Sequence, residues 1–256
     1  MPKLSVIIIT KNEALHIHDC LASVTFADEI IVVDAHSADN TVTLCHSFTN
    51  KVFVTEDWPG FGPQKNRALD YAQGEWILSL DADERVSPTL QQEIQQAIQT
   101  DLYTAFSIPR RSSYCGRWMQ CGYPDRVIRL FKKDCARLSS HILHEKVEVF
   151  QGCVGTLKTP LLHYSFSSLE EVLEKVNSYS SIGAHMLAVQ GKKSGLRKAL
   201  LHGLWTFFRT YFLKRGFLDG REGFMLAVSN AEGVYYRYLK LMYLGKHAHQ
   251  SRHHHL

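Results

Sequence analysis

Apolar runs without polar alternation recur through the first hundred residues, each followed by a stretch with helical spacing. The runs at 4–9, 29–34, 51–55 and 76–81 predict strands buried on both faces. Helices are expected over 13–24, 38–48, 63–72 and 89–99, the last opened by Pro88, where a missing N–H costs nothing. This alternation predicts an α/β fold, doubly wound around a mostly parallel sheet. From 103 to 162 the segments shorten and turns break them up. Those at 105–110, 127–131 and 147–150 suit antiparallel or mixed strands that extend the sheet. Past Ser167 the pattern becomes helical, over 169–189, 195–214 and 220–244, a C-terminal helical extension.

Composition narrows the class without changing that outline. With 256 residues, 45% hydrophobic and 21% charged, the chain can bury a sizeable core. No apolar run approaches the ~20 residues of a membrane span, and the start lacks a secretory signal pattern. A cytoplasmic protein is expected. Six scattered cysteines without a C-x-x-C pair read as free thiols. The net charge of +4 hides an asymmetry, since residues 192–246 hold eleven Lys/Arg against three acids while residues 1–191 hold 17 against 22. A basic, aromatic-rich back end points to an anionic membrane surface as partner. Within it, 200–215 is apolar around most of its circumference with basic ends. It reads either as a helix lying in an anionic interface or as one packed on the α/β part or on a second copy, so an oligomer stays open. No nucleic-acid motif accompanies the charge, and no nucleic-acid partner is expected.

The candidate chemistry lies at the ends of the predicted strands. Asp81-Ala82-Asp83 closes the fourth run, and two carboxylates two residues apart can reach one divalent cation. Hard oxygen ligands suit magnesium or manganese. A D-x-D alone is common by chance, so its context decides. Thr10, Lys11, Asn12 and Glu13 follow the first run and Asp34 the second. Parallel sheets bind ligands at these carboxyl ends. Asp34 and Ser37 also suit helix capping, which is compatible with a site. No G-x-G-x-x-G and no Walker A sequence is present, so a phosphate here would be held by metal rather than by a glycine cradle.

Residues 5–13 (SVIIITKNE), 31–39 (IVVDAHSAD), 62–68 (GPQKNRA), 72–77 (AQGEWI) and 81–84 (DADE) together resemble, in order, the family 2 glycosyltransferases. Residues 123–131 (YPDRVIRLF), 144–147 (HEKV), Gly152 and 162–164 (LHY) are similar to the subgroup that builds the lipopolysaccharide inner core, whose characterised members are β-1,4-glucosyltransferases acting on heptose. One departure is Ala35 followed by the bulky His36, where the family has an acidic or small residue. The resemblance implies a GT-A fold with a catalytic domain over 1–165, its donor half about 1–100 and its acceptor half about 101–165, followed by a helical, basic extension over 166–256. It also implies a UDP-sugar donor, a D-x-D metal site, inversion at the anomeric carbon and a lipopolysaccharide core acceptor met at the inner face of the cytoplasmic membrane.

Carried over residue by residue, the resemblance places Thr10, Asn12, Glu13 and Asp34 at the nucleotide. Lys65 is either a diphosphate contact or a solvated helix residue. Asp83 would ligate the metal directly, and Asp81 would bind ribose or a metal-bound water, with Ala82 between them. An inverting transfer needs a base for the acceptor hydroxyl, and Glu145 is preferred to Asp125. Glu145 also reads as a salt-bridged strand residue beside Lys146. His144 would orient the base or touch the acceptor. Arg126 and Arg129 read as ion-pair partners or phosphate binders, and Trp118 and Tyr123 as sugar-stacking or core residues. A nucleotidyltransferase would carry a glycine-rich basic loop where Thr10 to Glu13 stand. A membrane-surface scaffold without catalysis would not need Asp81, Asp83 and Glu145 intact.

Overall fold

The computed structural model describes residues 3–121, 125–139 and 145–253. They form two compact units, Met1–Arg111 with Asp125–His163, and Ser112–Pro124 with Tyr164–Leu256. Residues 112–124 thus group with the helices rather than with the strands around them in the sequence.

The first unit runs β1 (Leu4–Thr10), α1 (Ile17–Ala22), β2 (Glu29–Asp34), α2 (Thr41–His46), β3 (Val52–Val54), α3 (Phe61–Tyr71) and β4 (Trp76–Asp81), followed by β5 (Glu84–Arg85) and α4 (Pro88–Ala97). Next come β6 (Ala105–Tyr114), whose end crosses into the second unit with β7 (Arg117–Trp118), then β8 (Asp125–Lys132), β9 (Ala136–Leu138), β10 (Val147–Val149), β11 (Val154–Thr156) and β12 (Leu161–His163). The sheet order is β3-β2-β1-β4-β8-β6-β12-β5. β3, β2, β1 and β4 are parallel, whereas β8 runs antiparallel to both β4 and β6. β11 lies parallel beside β6, and β9 pairs with β10 as a separate ribbon.

The apolar runs become central strands because both of their faces are covered. Val6 and Ile8 of β1, Val32 of β2 and Leu78 and Leu80 of β4 pack in one core with Ile17, Leu21, Leu90 and Ile94 of the helices. Ile7, Ile9, Ile31, Val33 and Ile77 point the other way, onto Ala68 and Leu69 of α3 and Ala136 and Leu138 of β9. Cys20 and Cys45 sit in the first core, where burial pushes the Cys45 thiol up to about 12 and the Cys20 thiol up as well.

Helix boundaries differ from the sequence pattern where loops claim the ends. The first helix starts at Ile17, not at Glu13, because Asn12 takes a left-handed φ of 57° and the Glu13 carbonyl accepts the His16 and Ile17 N–H groups in a turn. The helix of α3 starts two residues before Pro63, which then sits in its first turn, where proline is tolerated. Ser87 caps α4 through the Leu90 N–H, with Pro88 next to it as expected.

In the second unit, α5 (Leu169–Val189) and α6 (Leu196–Phe208) precede α7 (Gly220–His253), which runs past its predicted end at 244. The segment predicted as one helix over 195–214 changes to a π-helical turn at Arg209–Leu213. Tyr114, Met119, Val172 and Leu226 form a small core within this unit. Asp219 fixes the loop after β7 by accepting from the Gln120 and Cys121 N–H groups at 2.7 and 3.0 Å. Among the described residues no helix is long and apolar enough to cross a membrane.

Candidate active site

Register alone brings the strand-end residues of the first unit together. Thr10 pairs with Asp34 across β1–β2, and Ile9 with Asp81 across β1–β4. The chain winds from β1 outward to β3 and then returns to lay β4 on the other side of β1. The crevice at the carboxyl ends of β1 and β4 is therefore the switch point where such sheets take ligands.

Asp34 is held there by neutral donors. It is fully buried and accepts from Thr10 Oγ1 at 2.8 Å, from the Ser37 N–H at 2.7 Å and from Ser37 Oγ at 2.5 Å. The Asn12 N–H donates to Ser37 Oγ at 2.8 Å, and Asn12 Oδ1 accepts from the Ala38 N–H at 2.8 Å. The loops after β1 and β2 thus form one locked wall. Glu13 joins it through its N–H, which donates to Thr41 Oγ1 at 2.8 Å. Asp34 shapes the loop by bonding Ser37, but neither residue caps the helix that follows, since α2 starts after Asn40, which makes no side-chain cap hydrogen bond.

Asp81 is held by cations. Lys65 Nζ lies 2.6 Å from Asp81 Oδ1 and 2.5 Å from Glu145 Oε1, and its side chain is only 1% exposed. Its reading as a solvated helix residue is therefore excluded. Arg129 pairs with Asp81 and, at 2.8 Å, with Glu84, while Arg110 reaches Glu84 at 3.3 Å and Asp125 at 2.5 Å. Seven charges alternate in an unbroken line from Glu145 through Lys65, Asp81, Arg129, Glu84 and Arg110 to Asp125. Burial opposes ionisation of Asp81, but Arg129 and Lys65 hold its carboxyl far below the usual carboxylate range. Burial likewise opposes the charge on Arg129, and Asp81 and Glu84 more than restore it, pushing its pKa up. Among the described residues, the Nε groups of Arg110 and Arg129 are buried without a hydrogen-bond partner. Unmet donors of that kind are uncommon and mark places where an anion or water belongs.

The placement of Glu145 depends on how closely α3 meets the β9–β10 ribbon. Asn66 accepts from the Leu138 N–H at 3.1 Å and donates to the Leu138 carbonyl at 2.8 Å. At Gly62 a Cβ would come within 1.8 Å of the Ser139 carbonyl oxygen and 3.5 Å of Glu145 Cβ. Only glycine lets the helix approach near enough for Lys65 to reach Glu145. The salt-bridge partner of Glu145 is thus Lys65, not its neighbour Lys146, and Glu145 precedes β10 instead of lying within a strand.

Asp83 faces a residue that strand-end reasoning passed over. His163 Nε2 stands 3.3 Å from Asp83 Oδ2, both side chains largely buried. β12 pairs with β5, with His163 opposite Glu84, and this register delivers the histidine to the D-x-D. The sequence signal was Leu162-His163-Tyr164, a block of the resemblance to which no site role was given. Glu84 and Arg110 also went unassigned, although Glu84 directly follows the D-x-D. Arg126 is not drawn into the charge line; its Nη1 lies 3.4 Å from the Leu157 carbonyl. Tyr123 and His144 lie outside the described residues. Among the described residues no three His, Cys, Asp or Glu side chains cluster as a ready cation cage.

Comparison with known proteins agrees with this architecture. Residues 5–153 match the model of glycosyl transferase family 2. An uncharacterized glycosyltransferase of Rickettsia bellii is 34% identical, covering 93% of this chain and 86% of its own. LpsC of Rhizobium meliloti, a lipopolysaccharide core biosynthesis glycosyltransferase, is 29% identical over 93% of this chain and 94% of its own. Among solved structures, residues 1–349 of TarS from S. aureus in complex with UDP-GlcNAc share the fold with a TM-score of 0.50 and 16% identity, over 95% of this chain and 92% of that one.

Proposed function

The chain belongs to glycosyl transferase family 2 and is a glycosyltransferase of GT-A fold, and from that premise we propose that it moves glucose from UDP-glucose, with inversion, onto a heptose of the lipopolysaccharide inner core. The observation that carries the donor half of this reading is Asp83 beside His163, next to the Asp81 charge line at the carboxyl end of β4. Its support on the acceptor side is the likeness to LpsC along nearly the whole chain.

The donor's nucleoside would lie against the wall of Thr10, Asn12, Glu13 and Asp34, whose shape the buried Asp34 carboxylate fixes through Thr10 and Ser37. Asp83 and His163 suit a magnesium- or manganese-type ion, which needs only one or two protein ligands when diphosphate and water supply the rest. Such an ion, when bound, supplies positive charge against the departing diphosphate. Both oxygens of Asp81 are engaged by Lys65 and Arg129. Its role is therefore to hold those cations at the diphosphate end of the crevice, where they oppose the developing charge.

In the transfer itself, the acceptor hydroxyl oxygen bonds to the anomeric carbon as the bond to the diphosphate oxygen breaks, and the hydroxyl proton passes to a carboxylate. Glu145 is the candidate for this, largely buried at one end of the charge line. Asp125 lies at the other end, more exposed and held by Arg110. Lys65, 2.5 Å from Glu145 Oε1, fixes the position of that carboxylate.

The test is UDP release from a panel of UDP-sugars, with and without EDTA, using a heptose-terminated core oligosaccharide as acceptor. Metal-dependent transfer from UDP-glucose that Asp83→Ala abolishes is the expected result. Transfer insensitive to EDTA, or a preference for another sugar or a heptose-free acceptor, would overturn the corresponding part of the reading.

A further inference from the structure

In the second unit, α6 has two apolar faces. One packs on α7. Ala199 and Gly203 are buried, a Cβ on Gly203 would stand 3.3 Å from the Ala231 carbonyl, His202 stacks on Tyr238 at 4.3 Å, and Phe207 meets Phe224 edge-on at 5.6 Å. The opposite face repeats at helical spacing through Leu200, Leu201, Leu204, Trp205 and Phe208 and continues into Phe212. Among the described residues of its own unit it stays about half exposed or more. Leu201 and Leu204 are each 67% exposed and Trp205 is 55% exposed. The aromatic rings form a ladder along the surface, Trp205 to Phe208 at 5.9 Å and Phe208 to Phe212 at 5.2 Å. A helix apolar all round is ordinarily enclosed, so a second apolar face left about half exposed or more calls for an occupant.

The charge around that face selects the occupant. Between Glu174 and Asp219 the chain carries no acidic residue, while Arg197, Lys198, Arg209 and Arg215 stand exposed along α6 and at its end. A second copy of the chain would set this positive rim against itself about a two-fold axis, with no carboxylate between 175 and 218 to offset it. A bilayer of anionic lipid matches every part of the surface. Its acyl boundary takes the leucines, its interfacial layer takes Trp205 and Phe208, and its phosphates take the arginines and lysines. We propose that the outward face of α6, from Leu200 to Phe212, lies in the plane of an anionic membrane surface with its basic residues at headgroup level. The purpose, bringing the enzyme to a lipid-borne acceptor, rests on the proposed function; the surface argument does not.

The full-length protein is sedimented with vesicles of phosphatidylcholine, with or without about a third phosphatidylglycerol, at ionic strengths of roughly 0.1 and 0.5 M. Binding to the anionic vesicles, weakened at the higher salt, is expected. L204E/F208E should lose about tenfold or more in vesicle partition, since it removes apolar burial and adds like charge. Both positions are exposed, so its melting temperature should match the wild type, as should its slow hydrolysis of soluble UDP-sugar. The proposal is overturned if the wild type ignores anionic vesicles, if neutral vesicles bind it equally well, or if L204E/F208E binds undiminished. It is also overturned if the variant instead dissolves a dimer that shows no vesicle binding. Because binding needs no donor, vesicle partition without heptose transfer would sink the acceptor assignment alone. Transfer without partition would sink only this surface.

Discussion

In the first unit, β1, β2 and β4 bury their apolar side chains on both faces, and the charges gather at one sheet edge, paired in alternating sign. In the second, α6 buries one apolar face and exposes the other, and its charges are of one sign. The difference shows what each part is organised to meet. Charges buried in pairs cost desolvation that their mutual attraction barely returns, so a line of seven alternating charges, most of them buried, holds its side chains in fixed geometry at the carboxyl edge. Unpaired charges around exposed apolar surface cost little in water and become favourable only when a large anionic surface arrives.

Removing charges from the first unit should therefore disrupt far more than removing apolar groups from the outer face of the second. The largest effect is expected on catalysis. Glu145→Gln should lower turnover by about 10²–10⁴-fold if that carboxylate is the base, while Asp125→Asn changes it by less than about tenfold. Steady-state transfer rates for the two variants would reverse the assignment if they came out the other way round. Next is the stability of the charge line. Arg129→Met leaves Asp81 and Glu84 without their shared cation and should cost about 3–5 kcal/mol in urea unfolding. Adding Glu84→Gln should recover part of that loss. A cost near zero would mean the line is not maintained in solution.

A smaller effect sits at the other end of β2. Glu29 is buried and accepts from the Gln73 N–H at 2.8 Å, with Lys51 and Ser5 Oγ as further partners. Burial works against its charge, but these donors outweigh it and hold the carboxyl below the usual glutamate value. The folded state thus prefers the ionised form. Its stabilisation is present above the ordinary glutamate pKa of about 4.3 and is lost as pH falls below it. Urea midpoints between pH 6 and 3 should fall more steeply for the wild type than for Glu29→Gln, and parallel curves would refute the linkage. The smallest change belongs to the second unit, where Leu204→Ser should alter stability by no more than about 0.5 kcal/mol. A loss of several kcal/mol there would show that the face is covered after all.

The alternation of strands and helices was legible because strands buried on both faces must be apolar throughout, and the runs at β1, β2 and β4 have no other soluble explanation. Placement of Thr10, Asp34, Asp81 and Asp83 at one edge followed from parallel topology, which puts every strand's carboxyl end on the same side. Helix ends were less legible. The Asn12 turn and the π turn at Arg209 are set by local backbone geometry that hydrophobic spacing does not report. For α6, the sequence showed a helix apolar nearly all round; whether it was enclosed depended on how α7 packed.

What the sequence by itself determined is the sheet, the polar residues at its carboxyl edge and the absence of acidic residues from 175 to 218. These are properties of periodicity and composition, readable one segment at a time. Tertiary structure alone decided that Lys65 joins Asp81 to Glu145, that His163 stands beside Asp83 and that α6 keeps one face open. Each of those contacts links residues far apart in the chain, and its existence depends on strand register, on the close approach at Gly62 and on helix docking, none of which leaves a local trace.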